Sequence, residues 1–201
     1  ALGRDCGPLV IAPESTDMQA LRGKRIAVPG KLTTANLLLQ LYGSGYEDLL
    51  ILPFDQIMNA LQSGAADAGV IIHESRFTYQ QAGFHEVLDL GAWWEADSGL
   101  PIPLGGILAR RDLGEKMIRM ADDAIRSSLE YARLHPQEPR SYIKEHAQEL
   151  ENEVIDAHIN LYVNDFSLSL GDEGIMAVET LLSRAESRGL IPKSDKPLFL
   201  T

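Results

Sequence analysis

His73 is the residue best placed to carry chemistry. It follows the apolar run AGVII (68–72), whose composition is typical of a buried strand. A side chain just beyond the carboxyl end of such a strand lies where open α/β sheets bind ligands, and an imidazole there can accept a proton near neutral pH. Glu74, the next residue, is a candidate to adjust the proton affinity of the His73 imidazole. The alternative interpretation is a loop-end histidine whose ring bonds a backbone carbonyl.

A second candidate site lies in PGKLTTANLLLQLYG (29–43), where a strand passes into a helix. The unpaired amides at the start of that helix, together with the hydroxyls of Thr33 and Thr34, form a seat for a carboxylate or another anion. The simpler alternative is that one threonine only caps the helix.

Aromatic residues and glycines mark a third region. Trp93 and Trp94, beside Glu95, are candidates to wall a pocket for an aromatic ligand, and core packing explains them equally well. Gly105 and Gly106 permit a close approach of the backbone to a ligand, a hinge or a tight turn.

The remaining histidines are predicted to be structural or solvated: His85, His135, His146 and His158. The sequence has no HxxH, HExxH or HxH spacing and a single cysteine, Cys6, so no metal site is predicted. It also lacks GxGxxG, GxxxxGK[ST] and GxSxG, which leaves nucleotide-binding and hydrolase interpretations without support.

Composition favours a small-molecule partner. The 201 residues are 45% hydrophobic and 23% charged, as in ordinary globular proteins, and they carry a formal net charge of −11 at pH 7. Such a charge repels nucleic acids and anionic membranes, and no apolar run approaches the roughly 20 residues of a membrane span. One cysteine and no recognisable secretory signal predict a reducing, cytoplasmic setting.

An α/β scaffold must position these residues. Short apolar runs alternate with helical stretches up to residue 110, as in a largely parallel sheet with crossovers. The predicted strands are 8–12, 25–28, 49–53, 68–72, 86–90 and 105–109. The predicted helices among them are 33–42, 55–62 (capped by Asp55 and ended by Gly64) and 74–82.

After residue 111 only helices are predicted. In 113–134, apolar residues recur at steps of three and four, a stripe that we expect to cover a sheet. These residues are Ile118, Ala121, Ile125, Leu129 and Ala132. Two further helices, with similar stripes, run through 155–162 and 175–185.

Two segments are predicted to cross between lobes. Residues 13–24 are polar and irregular, and residues 100–106 place two prolines before a glycine pair. If both are linkers, residues 23–102 form one α/β lobe, and residues 1–22 with 103–201 form the other. A lobe inserted through two connections makes a cleft with a hinge.

Five stretches, spread over nearly the whole chain, together resemble the 1,4-dihydroxy-6-naphthoate synthases of the futalosine route to menaquinone. They are AVPGKLTTA (27–35), AGVIIHESRFTY (68–79), LDLGAWWE (88–95), GLPIPLGGILARRDLG (99–114) and YVNDFSL (162–168). The resemblance implies a periplasmic-binding-protein-like fold of the second type, two α/β lobes around a cleft. It also implies a first lobe that lacks its N-terminal part here, so we expect this polypeptide alone to turn over weakly or not at all.

The resemblance further implies the roles of individual residues. His73 is the proton acceptor, and Thr33, Thr34 and Ala35 contact the substrate. The implied activity is that of a carbon–carbon lyase that converts cyclic dehypoxanthinyl futalosine to 1,4-dihydroxy-6-naphthoate without a cofactor, in a protein expected to form a homodimer. Two alternatives stay open: a non-catalytic solute-binding protein for a small carboxylate, and the sister chorismate dehydratase, against which the HESRFTY block argues.

Overall fold

The computed structural model describes residues 1–73, 75–147 and 151–199. Its strands are β1 (Leu2–Gly3), β2 (Leu9–Ala12), β3 (Ile26–Val28), β4 (Leu49–Ile51), β5 (Ala68–Ile71), β6 (His85–Asp89) and β7 (Ile102–Pro103). Five of them form one sheet in the order β4–β3–β5–β2–β6, while β1 and β7 form a separate ladder.

The five-stranded sheet is mixed, which corrects the prediction of a largely parallel one. β3 pairs in parallel with β4 and β5, whereas β2 runs antiparallel to both β5 and β6. Every residue of β2, β3 and β5 is buried. Their uniformly apolar composition therefore reflects strands covered on both faces, and it does not report strand direction.

Five of the six predicted strands are confirmed, and the strand predicted at 105–109 is wrong. Ile107 and Leu108 are 81% and 93% exposed. Within the described ranges no strand pairs with this run, because β1 is short and pairs only with Ile102–Pro103. Apolar residues without a neighbouring edge to bond do not form a strand.

The helices are α1 (Thr34–Tyr42), α2 (Ile57–Gln62), α3 (Ser75–Thr78), α4 (Leu90–Ser98), α5 (Glu115–Leu134), α6 (Arg140–His146), α7 (Asn152–Tyr162), α8 (Asp165–Leu168) and α9 (Gly171–Ser187). Asp55 does not cap α2 as predicted, since it lies inside a 3₁₀ turn at Phe54–Gln56. Residue 74, the predicted start of the third helix, lies outside the described residues.

The two ends of the 1–104 segment meet in the β1–β7 ladder. Leu2 lies opposite Pro103, and the amino group of Ala1 donates to the carbonyl of Gly105 at 2.7 Å. Because β2 already belongs to the five-stranded sheet, residues 13–24 connect two strands of that sheet. The division into 1–22 with 103–201 and 23–102 otherwise stays a prediction.

One buried cluster joins the sheet to the C-terminal helices. It includes Val10 of β2, Leu38 of α1, Trp94 of α4, Ile102 of β7 and Leu181 of α9. The guanidinium of Arg184, also on α9, lies 5.0 Å from the centre of the Trp94 ring and pairs with Asp97. α9 therefore shares a core with the elements that carry the candidate site.

α5 packs against no sheet of the described residues, and the expectation that its apolar stripe covers a sheet belonging partly to a segment outside this sequence stays a prediction. No residue of α5 is buried, and Ile125 is 36% exposed. The sheet is instead packed by α1, α2 and α4, while α5 contacts α8 and the turn before it. The stripe was correctly placed on a helix, but periodicity does not reveal which surface, if any, the helix meets.

Gly7 and Gly91 bring two backbones into direct contact, and this generates a test. A Cβ added at Gly7 would lie 2.2 Å from the Gly91 Cα. We expect Gly7→Ala to lower the free energy of unfolding by about 3 kcal/mol, because backbone must shift, as measured by urea denaturation. Gly106→Ala is the control, since a Cβ there meets nothing within 4 Å; equal losses in the two variants would contradict this account.

Candidate active site

His73 occupies the turn directly after β5 and Ile72. Its φ of 56° lies in the left-handed region that side-chain-bearing residues rarely adopt. The amide of Arg76 donates to the His73 carbonyl at 3.2 Å, which continues this turn into α3. The imidazole is exposed, and the ring of Phe54 meets it edge-on with 5.0 Å between centroids. Glu74, the candidate to tune it, lies outside the described residues.

Thr33 is the N-cap of α1. Its hydroxyl accepts from the amide of Asn36 at 3.3 Å and donates to the carbonyl of Gly30 at 2.8 Å. The Asn36 side chain in turn donates to the Lys31 carbonyl at 2.8 Å. The capping interpretation is therefore correct for Thr33, and the loop before α1 is held by local bonds.

The hydroxyl of Thr34 is engaged elsewhere: it donates to the carbonyl of Leu104 at 2.9 Å. The amides of Thr34 and Ala35 belong to the first turn of α1, where no intrahelical acceptor exists. Among the residues that the structure describes, no acceptor bonds these two amides. They are available donors at the positive end of the helix.

His73 and the start of α1 open onto the same cavity, whose volume is about 440 Å³. Its walls come from the segment after β1, the turn before α1, the turn after β5, the segment after β7, and α7. The lining residues are Ala1, Cys6, Gly7, Pro8, Leu32, Thr33, Thr34, Ala35, Ile72, His73, Leu104, Gly105, His158 and Tyr162. Residues far apart in sequence thus share one site.

The two tryptophans do not line this cavity. Trp94 is fully buried, and its indole N–H donates to the Pro101 carbonyl at 3.1 Å. Trp93 packs edge-on against Tyr42, with 5.5 Å between ring centroids. Core packing is therefore the correct interpretation. The Glu95 carboxylate accepts from the Asp5 amide at 2.8 Å, so it too holds the fold.

Sequence reasoning missed His158 and Tyr162. The imidazole of His158 lies 5.8 Å from that of His73 and 4.6 Å from the ring of Tyr162, measured between centroids. The i, i+4 spacing on α7 indicates that both side chains share one helix face. It does not indicate that this face meets the cavity, which is why His158 was predicted to be structural or solvated.

A mostly buried ion pair fixes the turn that carries His73. Arg76 donates to the Asp89 carboxylate at 2.7 Å, and the two side chains are 15% and 19% exposed. The same guanidinium donates to the carbonyls of Gly7 and Asp5, the latter at 3.1 Å. Gly7 lines the cavity, so Arg76 ties one cavity wall to the turn of the candidate base.

Cys6 also lies in the cavity wall, where it is 1% exposed. Burial raises the pKa of its thiol to about 11. The thiol is therefore protonated at neutral pH, and since the thiolate is the reactive form, Cys6 is not a nucleophile of this site.

Within the described ranges, no three histidine, cysteine or acidic side chains converge as a metal ion would need. In that same part of the chain, no helix has the length and apolar character to traverse a bilayer. The groups that the cavity offers are thus imidazoles, a phenol, amides and apolar surface.

The fold is that of the periplasmic solute-binding proteins. The alkanesulfonate-binding protein from Xanthomonas axonopodis pv. citri superposes with a TM-score of 0.62 at 15% identity, over 96% of this chain and 68% of that one. A likeness at this identity establishes the fold alone, and it confirms the predicted periplasmic-binding-protein-like α/β fold, while the division into two lobes stays a prediction.

The family model described as "Menaquinone biosynthesis" matches residues 1–187, and the chain belongs to this family. The 1,4-dihydroxy-6-naphtoate synthase of Thermus thermophilus is 54% identical over 200 residues, which are 100% of this chain and 72% of that protein. The synthase of Streptomyces coelicolor is 46% identical, over 96% of this chain and 69% of that protein. The chain is therefore an enzyme of menaquinone biosynthesis.

A solved structure from Archaeoglobus fulgidus supports the architecture at closer range. It has a TM-score of 0.88 and 38% identity, over 95% of this chain and 71% of that one. The resemblance seen in the sequence is thus confirmed at the level of family and fold.

The Arg76–Asp89 pair predicts a large effect on stability. Arg76→Leu leaves the Asp89 carboxylate mostly buried without its cation, so we expect the free energy of unfolding to fall by about 3 kcal/mol in urea denaturation. Arg25→Leu is the matched control. It removes an ion pair to Asp48 whose side chains are 55% and 49% exposed, and we expect a loss below about 1 kcal/mol. Similar losses would show that the Arg76 pair contributes no more than a surface pair.

The Cys6 thiol predicts a pH dependence. An ordinary thiol with a pKa of 9.0 ionises before one whose pKa is raised to about 11. Between these values the unfolded state loses its proton and the folded state keeps it, so stability falls as pH rises. We expect the wild type to lose about 2 kcal/mol more than Cys6→Ala between pH 8 and pH 11. Parallel urea-denaturation curves at the two pH values measure this, and equal losses would refute it.

Proposed function

We propose that this chain cleaves a carbon–carbon bond in cyclic dehypoxanthinyl futalosine to release 1,4-dihydroxy-6-naphthoate, without a cofactor. The observation that carries the proposal is that His73 and the first turn of α1 line the same cavity. A single cavity thus offers a proton acceptor and an anion seat to one small molecule. The synthase names of relatives at 54% and 46% identity support the naphthoate product, and the futalosine-derived substrate is the one that the sequence resemblance implies.

In this proposal His73 is the general base. A neutral imidazole removes a proton from the substrate, the released electrons pass toward the ring system as the carbon–carbon bond breaks, and the product gains aromaticity. The exposed ring is accessible to a ligand in the cavity. Its left-handed backbone is an unfavourable conformation that the fold nevertheless maintains, which is typical of functional positions.

The start of α1 holds an anionic group of the substrate in this proposal. The amides of Thr34 and Ala35 donate to it, and the positive end of the helix favours its charge. Thr33 contributes by capping the helix at this edge of the cavity. The Thr34 hydroxyl, bonded to the Leu104 carbonyl, holds the first turn in place.

Closure of two lobes over the substrate completes the proposal. The lobes are the predicted ones, residues 1–22 with 103–201 and residues 23–102, except that β2 is paired with β5 and β6 and therefore moves with the second. The cavity is lined from both sets: Ala1, Leu104 and His158 from the first, Thr33 and His73 from the second. Closure would exclude water and align the base with its target. A cytoplasmic setting and a homodimer stay predictions.

Two other functions are tested alongside. The fold likeness to an alkanesulfonate-binding protein, with a TM-score of 0.62, favours a non-catalytic binder of a small carboxylate as the main alternative. The sister chorismate dehydratase is the other. Binding without turnover identifies the first, and turnover of chorismate identifies the second.

His73→Asn is the deciding variant. We expect the rate of naphthoate release to fall at least about 100-fold because the proton acceptor is lost, while the Kd for naphthoate changes little because asparagine keeps a polar side chain. Release is measured by single-turnover chromatography with protein in excess over substrate, so that slow rates are recorded. Calorimetry gives the Kd.

His85→Asn is the control for this experiment. His85 is an exposed histidine of β6 and does not line the cavity, so its loss is expected to leave the release rate unchanged. Unchanged release in His73→Asn would refute His73 as the base. A wild type extended to the full length of its relatives that binds naphthoate but turns over neither cyclic dehypoxanthinyl futalosine nor chorismate would refute the enzymatic proposal.

A further inference from the structure

His158 is the one other imidazole among the described residues that line the cavity of His73. It reaches the site from α7, whereas His73 comes from the turn after β5. The two ring centroids are 5.8 Å apart and the ring planes are inclined by 30°. The imidazoles are thus neighbours on adjoining walls, and a molecule in the cavity meets both.

His158 is held in this position by its surroundings. Its ring packs against that of Tyr162 in a tilted contact, with 4.6 Å between centroids, and the residue is half-buried. α7 is anchored to the fold by the buried side chain of Ile155 and by contact with β1. A ring oriented by packing is a pre-organised group rather than a solvated surface side chain.

The proposed cleavage needs two proton transfers. His73 takes a proton from a hydroxyl of the substrate, and the electron pair of that O–H bond forms a carbonyl as the carbon–carbon bond breaks. The electron pair of the broken bond passes to the ring system, which must take up one proton to become neutral. One proton leaves the substrate and one returns, so a base and an acid are both required.

We propose that His158 is the acid of this reaction and delivers the proton that the ring system takes up. This inference rests on the proposed function. After the step, the His73 imidazolium and the neutral His158 are reset by moving one proton from the former to the latter, directly or through solvent. Atoms and electrons balance without a co-reactant.

The placement of the pair supports a division of roles. The two rings lie 5.8 Å apart on adjoining walls of one cavity, so one ring can face the group that loses a proton while the other faces the group that gains one. Among the described residues, the other ionisable side chains lining the cavity are those of Cys6 and Tyr162. On α7 itself, Asp156 is paired with Arg140 at 2.6 Å.

His158→Asn and His158→Gln test the proposal. Both keep a polar side chain and remove the titrating ring. We expect the single-turnover rate of naphthoate release to fall about 100-fold or more, with less than about a threefold change in the Kd for naphthoate. We also expect the pH–rate profile to lose its alkaline limb, because that limb reports the loss of the acid's proton. A residue with only a structural role would not remove one limb.

His146→Asn is the matched control. His146 packs against Tyr142 in a tilted ring contact, with 4.4 Å between centroids, as His158 does against Tyr162, but it does not line the cavity. We expect its rate and profile to match the wild type. Thermal melting of each variant separates unfolding from loss of catalysis. If His158→Asn does not fold, the rate and the pH–rate profile are taken from His158→Gln.

The outcomes are distinguishable. The role of His158 is overturned if the wild type is active and the His158 variants keep their rate within threefold and their alkaline limb. That result leaves the proposed function intact. A wild type extended to the full length of its relatives that still releases no naphthoate overturns both. Loss of rate and of the alkaline limb in both variants, with normal His146→Asn, supports His158 as the acid.

Discussion

The candidate site depends on the guanidinium of Arg76. It satisfies the Asp89 carboxylate at 2.7 Å and the carbonyls of Asp5 and Gly7, at the point where the segment after β1 passes the turn after β5. Partly buried charges are stabilising only when their hydrogen bonds are satisfied. Here they are satisfied by groups that belong to the two cavity walls, so the network that neutralises the charge also sets the position of His73.

The same network extends into α4. The second oxygen of Asp89 accepts the amides of Gly91 and Ala92 at 2.8 and 3.0 Å, which caps the helix. Gly91 in turn lies against Gly7, where no Cβ fits. An ion pair, a helix cap and a backbone contact thus share the same few residues, and a change in any of them reaches the cavity wall.

Much of this arrangement could be predicted from the sequence, and the limits have physical causes. The AGVII strand and the position of His73 after it follow from a short apolar run. The role of Thr33 as a helix cap follows from the hydrogen bonding that threonine offers at a helix start. His158 could not be found, because a histidine on an amphipathic helix carries no signal of what that helix faces. The prediction of a strand at 105–109 was wrong for a related reason. Hydrophobicity identifies a run that can form a strand, but a strand also needs a neighbouring strand to pair with, and that depends on the tertiary structure. The exposed stripe of α5 makes the same point for helices.

At His73 the proposed role of the side chain and the free energy of unfolding place opposite demands on one residue. With φ at 56°, this residue occupies a conformation in which glycine is unstrained and histidine is not. If thermal stability alone were selected, glycine in place of histidine at position 73 would be favoured. An imidazole at this position therefore lowers the free energy of unfolding relative to glycine, and the proposed role of the ring as a base is what would offset that loss.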